Sequence, residues 1–273
     1  MEEKCHERGE GKKLPMTTEQ LRLLCQAEED IAHIHGWDFS HIAGRYTEET
    51  DLPWDYRAEA AAQLARLPAG ARILDMDTGG GEFLRQLGYP PALTSASEGY
   101  PPNVELCRRE LLPLGIDFRA GDARGRLPFG DGEFALILNR HGDFNAADVA
   151  RMLAPGGVFL TQQVGAENDR ELVELLLGEQ PLPFPQQYLA VAAEKFRQAG
   201  LEIVDGRECY RPIRFFDVGA LVWFARIIAW EFPGFSVEAC LPQLGRAQAQ
   251  IEQTGCVSGR IHRFFLKARK AGA

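Results

Sequence analysis

Between residues 71 and 164, short apolar runs alternate with helical stretches, and this alternation limits the possible folds more than any other feature. ARILDM (71–76), ALTSAS (92–97), DFRAG (117–121), EFALILN (133–139) and VFLTQQV (158–164) have the length and apolar content of strands. GEFLRQLG (81–88), NVELCRRELLPLG (103–115) and AADVARMLAPGG (146–157) carry helical spacing and fall among them. Strands that alternate with helices build βαβ units and hence a parallel sheet. Strands of such a sheet are buried on both faces, which suits runs such as ALIL and GVFL. The expected fold class is therefore α/β.

The flanks read differently. Thr17-Thr18-Glu19-Gln20 has the form of a capping box, and Leu21, Leu24, Ala27, Ile31 and Ile34 follow at helical spacing, so a helix is expected over 18–35, ending at Gly36. Residues 37–57 are aromatic without a clean period and read as a packed loop; a second helix is expected near 57–67. Beyond Pro181 the spacing predicts a helix near 186–199, a long strand over 201–215, helices over 217–231 and 236–253, and a last strand over 260–269. The chain divides into a tail (1–16), an N-terminal helical lid segment (17–69), a central core (70–180) and a C-terminal part (181–273) that completes the sheet and holds an acceptor pocket.

Charge and cysteine usage narrow the function. With 39 acidic and 30 basic residues among 273, the net charge is -9, a field that repels phosphate backbones. The six cysteines, Cys5, Cys25, Cys107, Cys209, Cys240 and Cys256, form no CxxC pair, so neither a zinc ribbon nor a redox pair is indicated, and no metal is expected. Scattered cysteines and the lack of a leader pattern suggest a reducing cytoplasm. The apolar stretch 218–232 is too short to span a bilayer and contains Arg226, so it reads as a buried helix and no membrane partner is expected.

The chemistry concentrates at ILDMDTGGGEF (73–83). An acidic strand end, a glycine-rich turn and a second acidic residue, Glu98, after the next strand form a nucleotide-binding constellation. Glycines supply positive φ and leave no Cβ between backbone and ligand. The dinucleotide fingerprint fits poorly, because Leu84 stands where a third glycine belongs, and no P-loop lysine is present.

These residues resemble the first motif of class I S-adenosylmethionine-dependent methyltransferases, acidic-x-Gly-x-Gly-x-Gly. The resemblance continues through Glu98, Gly121-Asp122-Ala123, LPFGDGEFALILN (127–139) and LAPGGVFLTQQVG (153–165), in the family's order, from about 70 to 178. It implies a Rossmann-like, doubly wound, mostly parallel seven-stranded sheet and the cofactor S-adenosyl-L-methionine. By resemblance Asp75 orients the first turn toward the methionine end, and Gly79 and Gly81 admit the ligand. Glu98 takes the ribose hydroxyls, Asp122 with Ala123 takes the adenine, and Asn139 lines the site near the sulfonium. Asp77 departs from the pattern by replacing the first glycine. It is expected to tolerate a left-handed turn and to weaken cofactor affinity relative to glycine; the alternative is a side chain that points to solvent.

For transfer to a hydroxyl or a protonated amine a general base helps, and His141 after the fourth strand is the first candidate, with Asn139 beside it. Taken singly, Asp75 or Asp77 fits a helix cap, Glu98 a solvated loop, Asp122 a turn and His141 a polar loop residue; their joint placement at strand ends favours a site. Trp37, Phe39, Tyr46, Trp54 and Tyr56 suit a lid over the ligand, or simple packing on the sheet. Phe215, Phe216, Trp223, Phe224, Trp230 and Phe232 suit core at helical spacing, with part of the cluster walling an apolar acceptor pocket. His33, His35 and His41 lack a ligand set for metal. Basic–aromatic runs at 211–216 and 260–270 keep an rRNA or tRNA substrate open, but a small-molecule acceptor is favoured. Two further alternatives are a cofactor-binding protein of weak or no activity, suggested by Asp77, and a nicotinamide-dependent oxidoreductase.

Overall fold

The structure, a computed structural model, describes residues 16–33, 39–48 and 51–272. The tail expected up to residue 16 lies, except for Met16, outside the described residues, as do Ile34, His35, Gly36 and Trp37. Helix α1 (Thr18–Asp30) opens on the expected capping box: the Gln20 N–H donates to Thr17 Oγ1 at 3.2 Å and the Thr17 N–H to Gln20 Oε1 at 2.9 Å. There follow β1 (Tyr46–Glu48), α2 (Tyr56–Leu64), β2 (Ile73–Met76), α3 (Glu82–Gln86), β3 (Thr94–Glu98), α4 (Pro101–Glu110), β4 (Asp117–Ala120) and β5 (Phe134–Arg140). Then come α5 (Ala146–Met152), β6 (Leu153–Val164), α6 (Arg170–Leu177), α7 (Leu189–Gln198), β7 (Leu201–Phe215), α8 (Val218–Ile227), α9 (Val237–Thr254) and β8 (Val257–Lys270).

One sheet takes the order β1-β7-β8-β6-β5-β2-β3-β4. Strands β2 to β6 pair in parallel, while β8 lies antiparallel between β6 and β7. The fold is the expected Rossmann-like α/β sheet, with eight strands rather than seven. The added strand, β1, lies in the segment read as a loop. At three residues it is too short to show alternation, and it forms by pairing Tyr46, Thr47 and Glu48 with Phe215, Arg214 and Ile213 on the otherwise open edge of β7.

Helix α5 also stops sooner than its pattern suggests. Leu153 leaves it at φ -67, ψ 132 and pairs with Phe134, so the chain enters β6 before the Pro155-Gly156-Gly157 turn. Register shifts between Phe134 and Leu136 absorb that turn. A Cβ on Gly157 would lie 2.8 Å from the Ala154 carbonyl oxygen and 3.0 Å from that of Phe134, so only glycine fits there.

Side-chain alternation divides the sheet into two buried faces. Ile73, Leu136, Leu138, Leu160 and Phe265 face α2, α3 and α4, while Leu74, Met76, Ile137, Phe159, Phe264 and Leu266 face α5 and α7. A third core joins α1, α6, α8 and α9 over the far ends of β7 and β8. Helix α8 is buried along its length except at Arg226. Phe215, Trp223, Phe224 and Phe232 are core, whereas Phe216 and Trp230 are exposed. Phe39 and Tyr46 pack against this core, through Trp223 and Phe224 and through Phe215. Among the described residues no helix is long and apolar enough to cross a membrane.

Candidate cofactor and acceptor site

Parallel pairing sets the geometry of the site. In adjacent β2, β3 and β4, Asp75 registers with Ala96 and Glu98 with Ala120, so Asp75, Glu98 and Asp122 reach one rim of the sheet. The turn after β2 is left-handed at three places: φ is 50 at Asp77, 64 at Gly79 and 79 at Gly81. Gly81 lies tight against Leu111, just past the end of α4, because a Cβ there would come within 2.6 Å of Leu111 Cδ2. At Gly79 a Cβ would meet nothing within 4 Å, so bare backbone faces open space.

The carboxylates along the rim are engaged. Asp75 is buried and its Oδ2 accepts the Thr78 hydroxyl at 2.6 Å. Burial raises its pKa to about 6, against the opposing pull of that hydrogen bond and of Arg140. Glu98, 5% exposed, ties the turn to its own strand end: Oε2 accepts the Gly79 N–H at 2.9 Å, and Oε1 accepts those of Gly99 and Tyr100 at 2.8 Å. Asp122 is exposed and forks with Arg124 at 2.9 Å, which holds its carboxyl below the usual range, while neighbouring Ala123 is buried.

Asp77 points back into the protein rather than to solvent. Its Oδ2 accepts the Asp143 N–H at 3.0 Å, and its Cβ so crowds Gly142 that a Cβ there would lie 2.4 Å away. The side chain thus staples the glycine turn to the loop after β5. Burial first, and then the charge of Glu98, raise its pKa to about 7.

Asn139 is fully buried at the end of β5 and all its amide positions are engaged. Its Nδ2 donates to the carbonyls of Met76 at 3.3 Å and Asp143 at 3.2 Å; its Oδ1 accepts from Thr161 Oγ1 at 2.8 Å and Gln163 Nε2 at 2.6 Å. The Asn139 side chain therefore braces three strand ends. His141 has φ 61, and the surrounding protein and the cations Arg263 and Arg140 hold its imidazole below the ordinary range, so it is neutral near pH 7.

Sequence reasoning missed the network that sets the state of this ring. Trp54 Nε1–H, which can only donate, binds Gln162 Oε1 at 2.7 Å. The Gln162 amide nitrogen then faces His141 Nε2 at 2.9 Å and must donate to it, which leaves the ring proton on Nδ1. Tyr56 OH lies 3.1 Å from the Asn139 N–H and 3.0 Å and 3.2 Å from the Asn139 and Leu160 carbonyls. The available signal was the polar run Thr161-Gln162-Gln163, which directly follows the apolar Val158-Phe159-Leu160 of β6 and is itself buried. A cavity of about 540 Å³ opens beside these groups, with Leu52, Trp54, Phe83, Arg140 and Gln162 in its wall. Among the described residues no group of three or more His, Cys, Asp or Glu side chains is placed to hold a metal ion. His41 instead pairs with Glu28 at 2.8 Å.

An α/β sheet that sends acidic residues from three adjacent strands to one rim, beside a left-handed glycine turn, defines a nucleotide-cofactor fold. Over about half of its length the chain is similar in sequence to curated methyltransferases, and its fold is that of Rossmann-like α/β proteins. No protein-family model matches it. It is 30% identical over 148 residues to the fatty-acid O-methyltransferase of Mycolicibacterium smegmatis, a match that takes in 51% of this chain and 50% of that one. It is 34% identical over 137 residues to the demethylmenaquinone methyltransferase of Deinococcus radiodurans, with 44% and 55% of the two chains covered. The chain thus spans about half the length of these curated relatives. In fold it resembles the YcgJ protein of Bacillus subtilis (TM-score 0.53, 19% identity, 80% of this chain and 99% of that one). A Bacillus halodurans protein provisionally named a methyltransferase gives a TM-score of 0.53 at 18% identity, with 78% and 98% covered.

Proposed function

We propose that the protein is a methyltransferase that uses S-adenosyl-L-methionine and acts on a small, largely apolar acceptor. The observation that carries this is the rim: a bare, left-handed Gly79 beside Glu98, with Asp75 and Asp122 on the flanking strands. These residues suit the cofactor. The open space at Gly79 would admit a ligand against the backbone, the Glu98 carboxylate would accept from a ribose diol, and Asp122 would turn from Arg124 toward an adenine amine. When bound, the cofactor supplies an electrophilic methyl group, and the protein contributes mainly alignment, which is worth several kcal/mol.

The residues of this chain have distinct parts. Asp77 and Asn139 hold the β2 turn against the β5 loop and keep the floor of the site rigid. Tyr56, Trp54 and Gln162 fix the N-terminal segment to the same strand ends. The named relatives act on fatty acids and demethylmenaquinone, which favours an apolar acceptor over nucleic acid, as does the charge of -9. The test is calorimetry with S-adenosylhomocysteine and with NAD, followed by labelled methyl transfer to a panel of apolar acids, phenols and amines. Binding of S-adenosylhomocysteine alone, with turnover on one acceptor class, supports the proposal. Preference for NAD refutes it, and binding without turnover on any class favours a cofactor-binding protein.

A further inference from the structure

The polar groups around the 540 Å³ cavity are engaged, with one marked exception. Trp54 and Gln162 satisfy each other, the Tyr56 hydroxyl is spent on strand backbone, Asp55 caps α2 at Ala58 N, and Arg57 is bound to Gln86. The Arg140 guanidinium makes no hydrogen bond or ion pair with a described residue; it lies 4.9 Å from the Phe83 ring centroid, and its charge favours the ionised form of Asp75.

The candidate bases named at this rim each already accept at least one hydrogen bond within the protein. Asp75 holds the Thr78 hydroxyl, Asp77 the Asp143 N–H and Glu98 three backbone N–H groups, while the lone pair of His141 Nε2 already accepts from Gln162. An alcohol or protonated amine would need a proton removed there. An acceptor that arrives as an anion would not.

We infer that the acceptor is a carboxylic acid with an apolar body, its carboxylate held by Arg140 at the mouth of this cavity and its body against Trp54, Phe83 and Leu52. This rests on the methyltransferase proposal for the chemistry but not for the binding. In the step, one carboxylate oxygen forms a bond to the methyl carbon as the carbon–sulfur bond breaks. The electron pair stays on sulfur, the sulfonium becomes a neutral thioether, the acid becomes a methyl ester, and no proton moves.

The test uses dodecanoate and methyl dodecanoate as probes, titrated into the full chain with and without S-adenosylhomocysteine. The acid is expected to bind, its methyl ester at least tenfold more weakly, and Arg140→Gln to lose about tenfold or more for the acid, the range of a charge-assisted hydrogen bond, while binding S-adenosylhomocysteine as before. If Arg140→Gln fails to fold, the comparison is read on Arg140→Lys, with a smaller loss expected. Equal affinity for acid and ester, or for the acid in variant and parent, overturns the inference. So does a variant that loses S-adenosylhomocysteine but keeps dodecanoate, which would assign the guanidinium to the cofactor. A parent protein that binds dodecanoate through Arg140 but not S-adenosylhomocysteine would retain the acid site and refute the methyltransferase proposal instead.

Discussion

Replacing Asp77 by asparagine should stabilise the protein, and increasingly so as pH rises. The Asp77 carboxyl titrates near 7 in the fold against 3.8 in the reference chain, so its ionised form is disfavoured by burial and by Glu98. A raised pKa contributes stability that is fully present below about pH 4 and lost as pH climbs through about 7. A shift of about three units corresponds to about 4 kcal/mol at full weight, and solvent screening of this half-buried group reduces that to about 1–2 kcal/mol. Asparagine tolerates the left-handed backbone and keeps an oxygen for the Asp143 N–H, so the substitution removes little besides the charge. Urea unfolding of both proteins at pH 4.5, 6, 7 and 8 provides the assay. The gap between them should be near zero at the acid end and reach about 1–2 kcal/mol above pH 7. A gap that does not vary with pH, or an Asn variant less stable at pH 8, would refute the reasoning.

Four further outcomes follow from the geometry. Gly165→Ala should destabilise by about 1–3 kcal/mol in thermal unfolding, because its Cβ would sit 2.1 Å from Nδ1 of the buried His262 ring, which stacks on Tyr210 and cannot retreat. Trp54→Phe strips the donor from Gln162 Oε1 and should cost about 1–3 kcal/mol by urea unfolding, and it should free the His141 tautomer, visible in ¹⁵N imidazole shifts. Glu98→Ala releases the N–H groups of Gly79, Gly99 and Tyr100 and should weaken S-adenosylhomocysteine about tenfold or more by calorimetry. Asp77→Gly should tighten that ligand by removing a carboxylate from the site; equal or weaker binding would show that the staple to Asp143 matters more than the charge.

The strand–helix alternation from Ile73 to Val164 was legible because burial on both faces leaves nearly continuous apolar runs, and β7 was legible to the residue because its length has no helical period. Strand β1 was not, since three residues carry no pattern and their pairing depends on Phe215, far along the chain. Among the site residues, those at strand ends were legible: register alone brings Asp75, Glu98 and Asp122 to one rim. What side chains do there was not. The inward turn of Asp77, the bracing by Asn139 and the Trp54–Gln162–His141 chain join residues 21 to 108 positions apart, and local spacing says nothing about such partners.

The central claim is that a cofactor lies against the Gly79 backbone and the Glu98 carboxylate. Amide ¹H–¹⁵N spectra recorded during titration with S-adenosylhomocysteine test it most directly. The account predicts that the N–H signals of Gly79, Gly99 and Tyr100, all bonded to Glu98, shift most, with Ala123 among the next. Shifts confined to other parts of the sheet, or none at saturating ligand, would contradict it.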